Sequence, residues 1–178
     1  MSSGPSGPAT PVGTLEADVV DALLRVNATV ATAESLTGGL VAAALTSVAG
    51  ASSVVRGGVV AYATDLKGTL AGVPVEVLER DGPVAASTAG QMAEGVRRRC
   101  AATYGVATTG VAGPDGQDGR PPGTLHVAVA GPTGIEVESF SGLTGDRAAM
   151  RDTAVRYALE LLIKAIRGGR ESSASGTR

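Results

Sequence analysis

Ser35 stands in the run Ala33-Glu34-Ser35-Leu36-Thr37-Gly38-Gly39, between a short β-branched segment and an apolar, helix-like one. Small residues there let a ligand approach the backbone. The start of the following helix offers free N–H groups and a positive dipole end, which suits an anion. Ser35 could therefore present its hydroxyl to a bound molecule as a nucleophile. From the spacing alone, a second role stands equally: Ser35 or Thr37 caps the helix. The run is neither a P-loop, since no Gly-Lys-Ser/Thr follows, nor a Gly-x-Ser-x-Gly elbow.

A serine nucleophile needs a base. His126 is the only histidine, and it lies in the middle of the strand-like Leu-His-Val-Ala-Val, a packed or edge position. The chain has two lysines, Lys67 and Lys164, against thirteen arginines. Lys164 falls in the last turns of a terminal helix and reads as a surface residue. Lys67 follows the end of a strand. An ammonium can be desolvated and lose its proton, whereas a guanidinium cannot. Lys67 is thus the candidate base, with a solvated helix lysine as the alternative.

Two further segments carry candidates. Residues 108–124 form a Gly/Pro/Asp-rich stretch after a strand, whose N–H groups could make an anion nest or an oxyanion hole; a mobile surface loop fits the composition as well. Asp115 and Asp118 lack EF-hand spacing. Arg147 falls in the first turn of a helix, an unfavourable place for a cation unless an anionic ligand shares it. The alternative is a surface arginine paired with Asp146 or Asp115.

Composition narrows the class. Net charge is −2, so no basic face serves nucleic acid. One Cys and one His leave too few ligands for a zinc site, and no disulfide can form within the chain. No apolar run approaches a membrane span and no signal peptide is evident, so the expected location is the cytoplasm. The core must be built from small aliphatic side chains, because the 178 residues include one Phe, three Tyr and no Trp.

These residues need elements to hold them. Residues 1–13 and 168–178 read as a disordered leader and tail around a folded body of 14–167. Helices are expected at 15–26 (Thr14 as N-cap), 36–48, 74–81, 85–104 and 146–166, with a helical turn at 65–70. Gly105 is expected to stop the fourth helix. Strands are expected at 29–33, 54–63, 106–109, 125–129 and 135–140, the last two as a hairpin. This order favours a single-domain, three-layer α/β/α fold with a mixed sheet. Ligands of such sheets sit beyond the carboxyl ends of strands, so segments 33–39, 108–124 and 141–147 should converge.

Taken together, five pieces in order resemble the C-terminal domain of the CinA family, the nicotinamide-nucleotide amidase domain. They are Thr32-Ala-Glu-Ser-Leu-Thr-Gly-Gly39, Gly57-Gly-Val-Val-Ala-Tyr62 with Lys67 downstream, Thr109-Gly-Val-Ala-Gly-Pro-Asp-Gly116, Pro122-Gly-Thr124 and Gly145-Asp-Arg147. The resemblance implies hydrolysis of nicotinamide mononucleotide to nicotinate mononucleotide and ammonia, without metal or cofactor. It implies a Ser35–Lys67 arrangement, with Tyr62 also in the catalytic set. Thr37, Gly38, Thr108, Thr109, Gly110, Ala112 and Arg147 fall at substrate-binding positions. Oxyanion donors are expected near Thr109 and Gly110, and phosphate binding at Arg147. Leu36 departs from the family's usual Cys. The large N-terminal domain of full-length members is not in the sequence, so a stand-alone form is expected; family habit also points to a homo-oligomer. The alternative function is a non-catalytic nucleotide-binding module linked to competence or DNA damage.

Overall fold

Thr14 opens the first helix, α1 (Leu15–Arg25), by accepting the Ala17 N–H on its hydroxyl at 3.4 Å. Val19, Val20 and Leu23 turn inward from it. The chain then enters the central strand β1 (Val30–Glu34), buried at every position. Helix α2 (Leu40–Thr46) leads to the edge strand β2 (Val55–Val60). Three helices follow: α3 (Thr64–Thr69), α4 (Val75–Asp81, ended at Gly82) and α5 (Ala86–Arg99). Strand β3 (Tyr104–Val111) and the hairpin β4 (Thr124–Gly131) and β5 (Gly134–Phe140) complete the sheet, and α6 (Arg147–Ser175) closes the fold. The computed structural model describes the backbone of residues 13–175 and the side chains of residues 13–169.

The strand order is β2-β1-β3-β4-β5. β1 pairs in parallel with β2 and β3, while β3–β4 and β4–β5 are antiparallel. The chain leaves β1 on one side for β2 and returns across it to β3. That reversal opens a crevice beyond the carboxyl ends of β1 and β3.

Alternation along the strands divides the core in two. Val30, Val106, Leu125, Val127 and Val129 face α1, α2 and α6, and join Leu23, Leu45, Leu159 and Leu162. The other face is paved with alanines, Ala31, Ala33, Ala107, Ala128 and Ala130, against Ala89, Met92, Ala93 and Val96 of α5. The layers are therefore α/β/α, as expected. Small side chains on the α5 face let helix and sheet backbones come close: a Cβ on Gly105 would lie 2.0 Å from the Ala93 carbonyl oxygen.

Gly105 corrects one expectation. It does not stop α5, which ends at Arg99 with Cys100 as its cap; it belongs to β3. Strand pairing takes this segment, because the Tyr104 N–H donates to the Thr29 carbonyl at 2.8 Å and Tyr104 aligns with Val30. The helix expected from residue 36 starts only at Leu40, because Gly38 (φ 60°) and Gly39 (φ 102°) adopt left-handed conformations that a helix cannot contain. At the other end, α6 runs past the expected boundary at 168. Propagating a formed helix adds one hydrogen bond per residue, against about 1 kcal/mol for each glycine. Gly169 also fits against Tyr104, whose hydroxyl would lie 3.2 Å from a Cβ there. The expected leader, Gly13 excepted, and residues 176–178 lie outside the described residues. Among those described, no helix is long and apolar enough to cross a membrane.

Candidate active site

The turn after β1 is organised by a side chain that sequence reasoning passed over. Glu34 is 1% exposed. Its Oε2 accepts the Thr37 hydroxyl at 2.6 Å, the Gly39 N–H at 2.9 Å and the Val41 N–H at 3.0 Å. Its Oε1 accepts the Ala42 N–H at 2.8 Å. The first amides of α2 are therefore satisfied by a carboxylate from the preceding strand, and neither Ser35 nor Thr37 caps the helix. The Thr37 hydroxyl also lies 2.7 Å from that of Thr108 on β3. Thr37 and Thr108 are fully buried, so this polar network lies beneath the turn. Arg151 of α6, likewise not singled out by sequence, donates to the Thr37 carbonyl at 2.8 Å and passes beside Gly38.

Ser35 is 8% exposed, and what is exposed opens into a cleft of about 240 Å³. Leu36, Tyr62, Gly110, Val111, Ala112, Gly113, Asp115, Gly116, Gln117 and Arg147 line the rest of it. Three separate segments thus converge as expected: the turn after β1, the loop after β3 and the start of α6. Arg147 spans the mouth. Its guanidinium donates to the Gly113 carbonyl at 3.1 Å and to the Tyr62 hydroxyl at 2.5 Å. It pairs with neither Asp146 nor Asp115; Asp146 instead caps α6, accepting the Ala149 N–H at 2.9 Å. Leu36, buried among the aliphatic residues of the α1/α2/α6 core, also forms part of the cleft wall.

Lys67 does not line this cleft. It is 2% exposed, and its Nζ donates to the Ala61 carbonyl at 3.3 Å. Ala61 in turn donates its N–H to the Glu34 carbonyl at 2.8 Å, which places the amine at the same strand ends as Ser35. Burial lowers the Lys67 pKa from 10.5 to about 8. Among the described residues, Lys67 makes no hydrogen bond to the Ser35 hydroxyl.

Of the residues singled out by sequence, Ser35, Tyr62, Gly110, Ala112 and Arg147 line the cleft. Thr37 and Thr108 lie in the network beneath it. Thr109 turns to the other face, where its hydroxyl donates to the Pro83 carbonyl at 2.8 Å. Gly38 shapes the turn. His126 lies on β4 with its Nδ1 2.7 Å from the Ser139 hydroxyl, and burial lowers its pKa, with Arg120 adding to the effect. A larger groove of about 480 Å³ runs between α1, α2 and α6; Leu15, Leu40, Ala43, Ala44 and Val155 line it with Glu16, Asp152 and Arg156 beside them, and it holds no serine, threonine, cysteine or lysine for acyl transfer. Among the described residues, no group of three or more His, Cys, Asp or Glu side chains could hold a metal ion.

The match to known proteins is extensive. The model of the CinA C-terminal domain matches residues 4–166. A CinA-like protein of Frankia casuarinae is 49% identical over 154 residues, covering 86% of this chain and 35% of its own length. A CinA-like protein of Myxococcus xanthus is 45% identical, with 81% and 34% covered. The chain therefore spans about a third of the length of these relatives. Among solved structures, a competence/damage inducible protein of Agrobacterium tumefaciens superposes with a TM-score of 0.80 at 38% identity, over 94% of this chain and 99% of its own. A CinA superfamily protein of Klebsiella pneumoniae gives 0.82 at 32% identity, over 86% and 96%. By this match and by its fold, the chain belongs to the CinA C-terminal domain family.

Proposed function

We propose that this domain is an amidase that hydrolyses the carboxamide of nicotinamide mononucleotide, giving nicotinate mononucleotide and ammonia. One observation carries the reading: a serine free of capping duty opens into a cleft that faces an arginine, while a lysine with a depressed pKa is buried at the same strand ends.

The Ser35 hydroxyl attacks the amide carbon as Lys67 takes its proton. The tetrahedral intermediate collapses when that proton is returned to the amide nitrogen, which leaves as ammonia. Water, deprotonated by the same amine, then cleaves the acyl-serine and restores the hydroxyl. The oxyanion needs nearby N–H donors. Gly110 lies in the cleft wall, and so does Leu36, whose N–H belongs to the residue after the nucleophile. Thr109 does not line the cleft and is the less suited of the two donors expected from sequence. Arg147 receives the phosphate, with Tyr62 holding its guanidinium in place. The cleft is smaller than the roughly 300–1,000 Å³ of ordinary ligand pockets. It takes the reacting end of a nucleotide, and the remainder lies across the open mouth.

The decisive experiment is ammonia release from nicotinamide mononucleotide by wild type and Ser35→Ala. Activity in wild type and its loss in the variant support the proposal; full activity in the variant removes the mechanism. The competing reading, a non-catalytic nucleotide-binding module, is favoured by one fact: the Lys67 hydrogen bond goes to Ala61 and not to Ser35. Nucleotide binding by calorimetry without turnover would select it.

A further inference from the structure

We propose that Glu34 is a positioning residue for Ser35: by taking the donors at the start of α2, it keeps the serine hydroxyl and the neighbouring amides free for a ligand. The proposal rests on Ser35 being the nucleophile.

A serine at the junction of a strand and a helix is normally drawn into capping, since the first amides of the helix lack partners and a hydroxyl one turn away satisfies them. A capping hydroxyl is a committed acceptor, held against the backbone and away from the cleft. Here the amides of Gly39, Val41 and Ala42 all go to the Glu34 carboxylate. The Thr37 hydroxyl, the other local candidate for a cap, is held between Glu34 and Thr108. What remains on the cleft side is the Ser35 hydroxyl. Among the described residues, the Leu36 and Thr37 N–H groups meet no protein acceptor.

The same four donors commit Glu34 to the turn. Three of them crowd Oε2 and the fourth holds Oε1. At 1% exposure the group is also sealed from the cleft. It acts on the reaction only through Ser35 and the turn.

Glu34→Gln tests this. The amide NH2 must face either the Oε2 cluster of three donors or the Ala42 N–H, so at least one donor loses its acceptor. In the same turn the Thr37 hydroxyl is already engaged, which leaves that of Ser35 to be drawn in. Two readouts are needed at matched folded fraction. The first is kcat and KM for nicotinamide mononucleotide. The second is the rate at which a small sulfonyl fluoride labels Ser35, followed by mass spectrometry of the Ser35 peptide. In that labelling an Oγ–S bond forms, the S–F bond breaks, fluoride leaves and the hydroxyl proton goes to solvent. The expected result is at least a tenfold fall in both kcat and labelling rate, with KM within about twofold of wild type. A purely structural role would lower the melting temperature without that split. Thr108→Val, which removes only the hydroxyl at the far end of the network, keeps the test available if Glu34→Gln does not fold; it should slow labelling several-fold. Labelling of wild type that persists unchanged in the variants overturns the role of Glu34 alone. Absence of any labelling at Ser35 in wild type overturns the nucleophile and this inference with it.

Discussion

Arg147 donates to the Tyr62 hydroxyl at 2.5 Å, tying the first residue of α6 to the chain just beyond β2 across the mouth of the cleft. The two residues are 85 positions apart, and the contact places a cation at a helix start where the backbone already favours an anion. With two of its N–H groups engaged, the guanidinium keeps others free for a phosphate. Arg147→Ala should therefore raise KM for nicotinamide mononucleotide by roughly 10- to 100-fold, the loss of about 1.5–3 kcal/mol expected for a charged hydrogen bond. The nucleoside without the phosphate should lose almost nothing. Steady-state kinetics on the two substrates checks this; an equal loss for both would remove the phosphate role.

Lys67 is expected to trade stability for activity. Its pKa of about 8, against 10.5 in an exposed chain, means that the protonated amine is penalised in the folded state. The penalty is about 3 kcal/mol at neutral pH, from about 1.4 kcal/mol per pKa unit. Lys67→Met, similar in size and uncharged, should raise the melting temperature at pH 7 and abolish ammonia release.

The sign of the pH dependence follows from the same shift. Below about pH 8, Lys67 is protonated in both folded and unfolded chains, and the penalty stands in full. Between about 8 and 10.5 the folded protein gives up the proton first, so the unfolded state binds more protons and stability from this group rises with pH. Denaturant titrations should show this rise in wild type and not in Lys67→Met. In parallel, kcat/KM should climb as pH passes about 8, as the amine becomes a base. A profile flat through that range would remove Lys67 as the base.

Leu36→Cys should leave kcat within about threefold of wild type. The side chain at 36 packs into the aliphatic core, and the reaction is asked to use only its backbone N–H. A small loss of stability, about 1 kcal/mol for the smaller buried side chain, is the expected change on thermal melting.

Gly105→Ala should be far more damaging than its size suggests. The added carbon would lie 2.0 Å from the Ala93 carbonyl oxygen and 2.8 Å from Arg97 Cβ, and neither is the flexible end of a side chain. Separating α5 from the sheet to admit it should cost about 3 kcal/mol, the upper end of ordinary overpacking. Chemical denaturation checks the value.

The sequence by itself determined the class of fold and the segments that meet at the site. Alternating apolar residues, glycine-marked turns and helical periodicity each report on the local backbone, which is why α1 with its Thr14 cap and the β4–β5 hairpin were legible. Ordered motifs were enough to bring Ser35, Gly110 and Arg147 to one place. Boundaries set by pairing were not legible: Tyr104 continues a helical pattern locally and Gly105 reads as its stop, yet hydrogen bonding to β1 takes both into β3. Nor could spacing show which partner a side chain would choose. Thr109 turns to Pro83 instead of the cleft, Lys67 finds Ala61, and Glu34, not a hydroxyl, satisfies the start of α2. A buried polar group bonds to whatever the folded chain brings within about 3 Å of it. That neighbourhood exists only once strands, turn and helix are assembled.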